Sequence, residues 1–223
     1  SSGEPDIQPP KPEIIVPPKN PDYTDAQILD MTQRSVTKYF WEYAESNSKL
    51  ARERYHTDNP GLDAAVITTG GSGFGLMTLL TGLRNGYIPR AEAVSKLSTS
   101  LSFLQNADRF HGAWSHWING SNGKVIPFGM MDNGGDLVET AFLVQGLICV
   151  REYFKNSTDS QELALSQKAD DLWKGVEWNW YTQGQNVLYW HWSPNYNFQM
   201  NHKLQGYDET LLTYVLAAAS PNY

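Results

Sequence analysis

The feature that most constrains the fold is a segment that occurs twice, at residues 110–149 and again at residues 188–219. Each copy carries closely spaced tryptophans, then a long polar loop, then an acidic helix start that leads into an apolar helix. Val138–Leu143 aligns with Asp208–Thr213 at an offset of 70 residues. A repeat of this length predicts stacked supersecondary units, each of which delivers carboxylates and indoles to the same end of the fold.

Hydrophobic periodicity predicts helices in which amphipathic and almost fully apolar segments alternate. The predicted helices span residues 24–47, 72–84, 89–108, 136–154, 161–181 and 206–219. Gly82 and Gly146 occupy matching places in the first two apolar helices, 64 residues apart. The pattern is that of an outer helix, a loop and an inner helix, three times over, which predicts an all-α toroid of helical hairpins.

Three hairpins do not close such a ring. We therefore expect residues 22–223 to form the N-terminal part of a larger toroid. Either further residues of the same polypeptide or a second chain would complete it. The alternative is a complete three-hairpin bundle, but that arrangement leaves apolar helix faces uncovered.

Composition narrows the classes of partner. The net charge of −7 and the isoelectric point near 5.2 argue against binding to nucleic acid or to an anionic membrane surface. No apolar run is long enough to cross a bilayer. Cys149 is the single cysteine, which excludes an intrachain disulfide, and its apolar helical surroundings predict a buried structural thiol.

Residues 1–21 contain seven of the twelve prolines and predict an extended linker without a core of its own. This linker suits a tether that holds the following domain away from a surface, although an ordinary disordered N-terminus has the same composition. The first residues resemble the start of a processed chain.

Five carboxylates lie at or near the predicted starts of the second and third inner helices: Asp132, Asp136, Glu139, Asp208 and Glu209. Because the inner helices of a hairpin toroid begin at one end of the ring, we expect these groups to converge on one rim. Structural roles compete with this interpretation. Asp136 and Glu139 have the spacing of a capping box, Asp208 could cap the third inner helix, and Asp132 could be a turn residue.

The loops before these acids are rich in aromatic residues and histidines: His111, Trp114, His116, Trp117, Trp190, His191 and Trp192. Aromatic faces stack on sugar rings and paired acids cleave glycosidic bonds, so this combination is typical of an enzyme that acts on sugars. Packing between hairpins is an equally simple role for Trp114 and Trp190. Hydrogen bonding or packing is favoured over catalysis for His116 and His191.

Other kinds of site fit the sequence less well. Residues 132–136 lack the ligand spacing of a calcium loop, and zinc motifs are missing, so we predict neither a metal nor a cofactor. Thr69–Gly75 is glycine-rich but lacks the lysine of a phosphate loop. We interpret it as a tight turn that allows the backbone to approach the cleft.

Three motifs, in order along residues 24–223, resemble the glycoamylase-like domain family, which includes the endo-β-1,2-glucanases of glycoside hydrolase family 144. They are TGGSGFGLMTLLTGLRNG from Thr69, the stretch HGAWSHWINGSNGKVIPF with DLVETAFLVQGLICVREYF, and GYDETLLTYVLAAASPNY from Gly206. The resemblance implies an (α/α)6 toroid of about twice this length that cleaves glucan with inversion and without a cofactor. It also implies export to the periplasm or cell surface, often as a lipid-anchored protein.

Carried over by position, the resemblance implies catalytic roles for Asp132, Asp136 and Glu139, with Glu209 as the general acid candidate. Asp208 stands where many relatives have Asn, and an anion there could raise the pKa of Glu209 or simply cap the helix. Six residues are predicted to bind the sugar: Trp114, His116, Trp117, Trp190, Trp192 and Tyr207.

The sequence thus predicts an exported glycoside hydrolase that acts on a glucan, with β-1,2 linkages favoured by resemblance alone, and that is a monomer once the ring is complete. A non-catalytic glycan-binding protein of a polysaccharide-uptake system would use the same tryptophans without a separated pair of acids. A polysaccharide lyase would need a basic rim to neutralise uronates, and the acidic motifs disfavour it.

Overall fold

The computed structural model describes residues 22–223, so the predicted linker at residues 1–21 lies outside the described part. The described chain folds into six α-helices: α1 (Asp25–Glu42), α2 (Thr69–Arg84), α3 (Arg90–Asn106), α4 (Leu137–Phe154), α5 (Ser160–Lys174) and α6 (Leu211–Ala219). Short strands occupy the connections: β1 (Val66–Thr68), β2 (Trp117–Asn119), β3 (Val125–Ile126), β4 (Gly135–Asp136) and β5 (His191–Trp192). A 3-10 helix follows α5 at Trp178–Thr182.

The predicted alternation of inner and outer helices is confirmed. The apolar helices α2 and α4 make the most extensive contact, and α6 also packs against α4. The amphipathic helices lie around them, α1 against α2, α3 against α5 and α5 against α4. The core runs between the two layers and includes Leu76, Leu97, Leu143 and Leu165. The fold is therefore all-α, as predicted.

Small residues allow α2 and α4 to approach backbone to backbone. A Cβ atom on Gly73 would lie 2.0 Å from the Phe142 carbonyl oxygen, and one on Gly146 would lie 2.4 Å from the Gly73 carbonyl oxygen. The prediction that Thr69–Gly75 forms a tight turn was wrong, because these residues form the first turns of α2. Gly70 and Gly73 face α4, whereas Gly75 faces Phe40 of α1. Gly82, which matches Gly146 in the sequence, instead makes room for Thr37 of α1.

Three helix boundaries differ from prediction by five residues or more. Helix α1 ends at Glu42 rather than at residue 47, because the Glu45 carboxylate accepts hydrogen bonds from the backbone N–H groups of Asn47 and Ser48 and fixes a turn. The helix predicted over 161–181 ends at Lys174, and the 3-10 helix begins four residues later. Helix α6 starts at Leu211, five residues after the predicted start.

Two small antiparallel sheets fix the loops that precede the inner helices. Strands β1, β2 and β3 form one sheet in that order, with Thr68 opposite Trp117. Strands β4 and β5 form the other, with Gly135 opposite Trp192 and Asp136 opposite His191. The two tryptophan-rich loops are therefore attached directly to the starts of α2 and α4.

Across residues 22–223, every helix is too short or too polar to cross a membrane. Cys149, in the second half of α4, is partly buried against the core rather than enclosed.

Candidate active site

The starts of α2 and α4 meet at one end of the fold, which we call the rim. The backbone N–H of Gly70, in the first turn of α2, donates a hydrogen bond to Glu139 Oε2 of α4 at 2.8 Å. The N–H of Thr69 donates to the His116 carbonyl at 3.2 Å, and the N–H of Asp136 donates to the Trp114 carbonyl at 2.9 Å. Glu209 lies close enough for its charge to act on Glu139. Glu139 and Glu209 therefore share one end of the fold, as predicted.

Asp136 is buried and organises the rim. Its Oδ1 accepts the Glu139 N–H at 2.9 Å, which caps α4, and also the indole N–H of Trp190 at 3.0 Å. Its Oδ2 lies 3.3 Å from His116 Nδ1. The capping role considered from the sequence is real but accounts for only part of this carboxylate. The reciprocal half of a capping box is missing, because Glu139 turns towards Gly70.

The surroundings of Glu139 raise the pKa of its carboxyl group. Burial is the largest cause that raises its pKa, and the negative charge of Asp136 raises it further. The charge of His116 and the Gly70 N–H act in the opposite direction without cancelling the increase. Carboxyl groups held in unlike environments are what acid–base cleavage of a glycoside requires.

His116 is an ionisable partner for these acids. Its partial burial lowers its pKa, but the hydrogen bond to Asp136 and the charges of Asp136, Glu139 and Asp132 outweigh that effect, so the net pKa is raised. The imidazole stacks on Phe128 with ring centroids 4.0 Å apart. His116 therefore links the carboxylates to the aromatic wall, which agrees with the hydrogen-bonding role favoured from the sequence.

Asp132 lies in a turn, as one alternative proposed, since its N–H donates to the Gly129 carbonyl and its carbonyl accepts from the Phe128 N–H. Its Oδ1 lies 3.3 Å from Nε2 of the buried His191, which also accepts the Gly134 N–H at 3.2 Å. His191 thus holds the backbone at Gly134, two residues after Asp132, whereas Asp132 Oδ1 has no hydrogen-bond donor within residues 22–223.

The potential ligand atoms of His116, Asp132 and Asp136 lie within 4.8 Å of one another, which is close enough to hold a metal ion. Asp136 already accepts two hydrogen bonds, and the raised pKa of His116 favours a proton in this position. These contacts fit a proton shared between the histidine and the acids, and the absence of a metal stays a prediction.

The third inner helix presents its acids differently. Asp208 Oδ1 accepts hydrogen bonds from the Thr210 backbone N–H at 2.9 Å and from its hydroxyl at 2.7 Å, and these bonds lower the Asp208 pKa. Asp208 therefore fixes the turn before α6, but it does not cap the helix as considered from the sequence, because the N-cap residue is Thr210. Glu209 follows it with an exposed side chain.

The predicted sugar-binding residues divide into three groups. Trp114 is fully buried in the core, and its indole N–H donates to the Leu104 carbonyl. Its assignment to sugar binding is therefore corrected, because no ring face is available; Trp114 has the packing role that was its alternative. Trp190 is half-buried, and its indole N–H donates a hydrogen bond to Asp136. Trp117, Trp192 and the 91% exposed Tyr207 keep accessible ring surface.

Two exposed aromatic residues were not singled out from the sequence. Phe128, 52% exposed, stacks on His116 and lies edge-on to Trp117. Trp180, 41% exposed, stacks on His111. Phe128 lies in the polar loop of the first repeat copy, so attention to aromatic residues inside that loop could have found it. The sequence around Trp180 instead continued a helical pattern.

The close relatives of this chain include proteins that act on β-1,2-linked glucans. The chain is 49% identical over 203 residues to an exo-β-1,2-glucooligosaccharide sophorohydrolase (non-reducing end) of Parabacteroides distasonis, covering 90% of this chain and 27% of that protein. It is 55% identical to an endo-β-1,2-glucanase of Chitinophaga pinensis solved with sophorotriose and glucose, with a TM-score of 0.86 over 89% of this chain and 48% of the other. A β-1,2-glucanase structure from P. distasonis is 49% identical, with a TM-score of 0.84, and the match covers 90% of this chain and 28% of the other.

The chain thus spans about a quarter to a half of the length of these relatives. No family model matches the sequence. At this identity and structural similarity the likeness extends beyond the general fold, and the resemblance seen in the sequence is confirmed.

Proposed function

We propose that this chain, which belongs to the glycoamylase-like family that includes β-1,2-glucanases, carries the acidic half of a glycoside hydrolase active site. The substrate we propose is a β-1,2-linked glucan, because the relatives that name a substrate act on that linkage. The chain covers half or less of those relatives, so the proposed activity is that of the whole protein.

The observation that carries this proposal is the cluster of carboxyl groups in unlike environments at the rim. Glu139 is partly buried with a raised pKa, Asp136 is buried and held by three partners, and Glu209 is exposed within reach of the Glu139 charge. Caps alone would not need this arrangement, since Asp136 already caps α4 and Asp208 fixes the turn before α6.

In the proposed reaction one carboxyl group protonates the glycosidic oxygen while a carboxylate activates water on the opposite face of the sugar. Glu209 is our candidate for the acid, because its exposed side chain can reach a bound glucan. Glu139, Asp136 and Asp132 are the candidates for the base or for the groups that position it. Glu209 precedes α6 and the other three lie at the start of α4, and neighbouring helices pack about 8–10 Å apart. That spacing suits the roughly 6.5–9.5 Å between carboxyl groups that inversion requires.

Export to the periplasm or cell surface and a monomeric state for the completed ring remain proposals. They rest on the family resemblance and on the proline-rich composition of residues 1–21.

The full-length protein should be incubated with a panel of α- and β-glucans, and the products separated by chromatography. We expect hydrolysis of β-1,2-glucan. Glu209→Gln should abolish turnover and leave glucan binding intact, whereas Glu92→Gln, on the exposed start of α3, should keep full activity. NMR of fresh product should show an inverted anomer. Full activity of Glu209→Gln, or retention of the anomeric configuration, would show that the assignment is wrong.

A further inference from the structure

An aromatic pocket lies outside the cluster of acids at the rim. Trp180 and Phe198 line it together with Glu177, Asn179 and Gln183, and its volume is about 400 Å³. We call this the Trp180 pocket. Its lining residues lie in the connection between α5 and α6. None of them has a role in the acid–base reaction proposed for the rim.

Contacts with neighbouring rings fix the orientation of the Trp180 side chain. One face of its indole stacks on His111, with ring centroids 3.6 Å apart and an angle of 13° between the planes. Trp192 packs edge-on against both rings. His111 Nδ1 lies 3.5 Å from Glu177 Oε2, and the Glu177 N–H donates to the His111 carbonyl at 3.0 Å. With 41% of its surface still exposed, Trp180 offers aromatic surface to a ligand.

The backbone that supports this stack adopts a conformation that L-residues rarely adopt. His111 has a φ of 48°, and Gly112 follows at 78°. A Cβ atom on Gly112 would lie 2.0 Å from the Gly175 carbonyl oxygen, so this turn is locked against the end of α5. Strain of this kind persists where the surroundings impose it, often at functional sites.

The chemistry of the pocket matches a neutral sugar. An aromatic face packs against the C–H surface of a pyranose ring, and amide or carboxylate groups at the edge bind its hydroxyls. The side-chain amides of Asn179 and Gln183 make no hydrogen bond to other groups within residues 22–223, so both are available. The pocket lining contains no cation, which disfavours an anionic ligand, and its polar groups disfavour a purely apolar one.

The position relative to the acids supports one continuous binding surface. Trp192, whose ring centroid lies 6.0 Å from that of Trp180, pairs in β5 with Gly135, the residue before Asp136. None of the four candidate acids lines the Trp180 pocket. Trp192 contacts the Trp180 ring and, through its pairing with Gly135, adjoins the strand that carries Asp136. A glucan chain that occupies the acidic cluster could continue past Trp192 to Trp180.

We propose that the Trp180 pocket is an outer sugar-binding subsite, which stacks a glucan unit remote from the cleaved bond and binds its hydroxyls through Asn179, Gln183 and Glu177. The proposal rests on the proposed glucan-hydrolase function for the identity of the ligand. Such a subsite selects for chain length, because only longer oligosaccharides reach both the acids and Trp180.

The test compares full-length parent, Trp180→Ala and Trp180→Phe on linear β-1,2-glucan oligosaccharides of increasing length. We expect Trp180→Ala to raise KM by about tenfold on the long oligosaccharides, the loss typical of truncating an aromatic anchor, and by less on the shortest one that is cleaved. Trp180→Phe should restore part of the affinity. Tyr153→Ala is the matched control, because Tyr153 is 37% exposed but lies at the far end of α4, and it should change neither KM nor kcat.

Binding of the same oligosaccharides to the Glu209→Gln protein, with and without Trp180→Ala, separates the two proposals. A Kd that rises about tenfold without Trp180 supports the subsite even if no glucan is hydrolysed, which would contradict the proposed function alone. Equal KM and Kd for parent and Trp180→Ala at every length, at unchanged melting temperature, would overturn the subsite. An equal loss at all lengths would also overturn it, since a general distortion does not depend on chain length.

Discussion

At the scale of single residues, the rim shows how one carboxylate serves structure while it tunes another. Asp136 caps α4, accepts the Trp190 indole N–H and pairs with His116. Its negative charge also raises the pKa of Glu139, whose N–H it binds. Helix capping was considered from the sequence as an alternative to a functional role for Asp136. In the structure Asp136 does both, because it caps α4 and also raises the pKa of Glu139.

A prediction at this scale concerns Glu139. Because burial and the Asp136 charge raise its pKa, the folded protein binds this proton more tightly than the unfolded chain. That stabilisation is complete below the ordinary carboxyl pKa of 4.5 and is lost as the pH rises through the raised value. Glu139→Gln keeps an acceptor for the Gly70 N–H and cannot ionise, so its free energy of unfolding should exceed that of the parent at neutral pH.

The measurement is urea unfolding between about pH 4 and pH 8, where each unit of pKa shift corresponds to about 1.4 kcal/mol. The difference between variant and parent should disappear at the acidic end of the range. Glu92→Gln, on the exposed surface of α3, should show no such dependence. A constant gap between Glu139→Gln and parent across the range would contradict the raised pKa.

At the scale of elements, the crossing of α2 and α4 positions the rim. The two helices meet at Gly73 and Gly146, where each glycine lies against the backbone of the other helix. This close approach brings the first turn of α2 within hydrogen-bonding distance of Glu139. A wider separation of the helices would remove that contact and change the surroundings of the acid.

Gly146→Ala should destabilise the protein by about 1–3 kcal/mol or more, because the added methyl group overpacks a contact between two backbones. Its Cβ would lie 2.4 Å from the Gly73 carbonyl oxygen, and neither group is a flexible side chain. Chemical denaturation measures the loss. Gly61→Ala is the control, since its Cβ would meet only Asn59 at 3.9 Å, and it should change stability by less than about 0.5 kcal/mol. Equal stabilities of the two variants would disprove the close approach.

At the scale of the whole molecule, apolar surface remains exposed at both ends of the helical array. Ile28, Leu29 and Met31 are 40–59% exposed on α1, and Leu211 and Val215 are 39% and 57% exposed on α6. The solved relative from C. pinensis is about twice as long as the part that this chain matches. We expect further helices of a complete toroid to cover these faces.

Val215 provides the test. In isolated residues 22–223, Val215→Ser should leave the free energy of unfolding within about 0.5 kcal/mol of the parent, since the side chain is largely exposed. In a full-length protein with a closed ring, the same change should cost about 1.5–3 kcal/mol, the value of a buried valine side chain. Thermal or urea unfolding of both lengths gives the comparison, and an equal effect in the two would contradict coverage of this face.

The sequence by itself determined the helical class, the alternation of inner and outer helices and the placement of the acids at one end. These features follow from local hydrophobic periodicity and from a repeat that gives equivalent elements equivalent neighbours. Glu139 and Glu209 could be assigned to one rim on this basis alone. The family motifs, read in order along the chain, predicted the relatives that were found.

Only the tertiary structure decided which aromatic rings face solvent and which acid is perturbed. The sequence predicted sugar binding for Trp114 and no role for Trp180, yet Trp114 is fully buried and Trp180 is 41% exposed. The glycines of Thr69–Gly75 are typical of a turn in sequence, whereas in the structure Gly70 and Gly73 allow α4 to pack against α2. Exposure, pKa and backbone contact depend on groups brought together from distant parts of the chain, as Gly70 and Glu139 are, and local sequence patterns do not encode those distances.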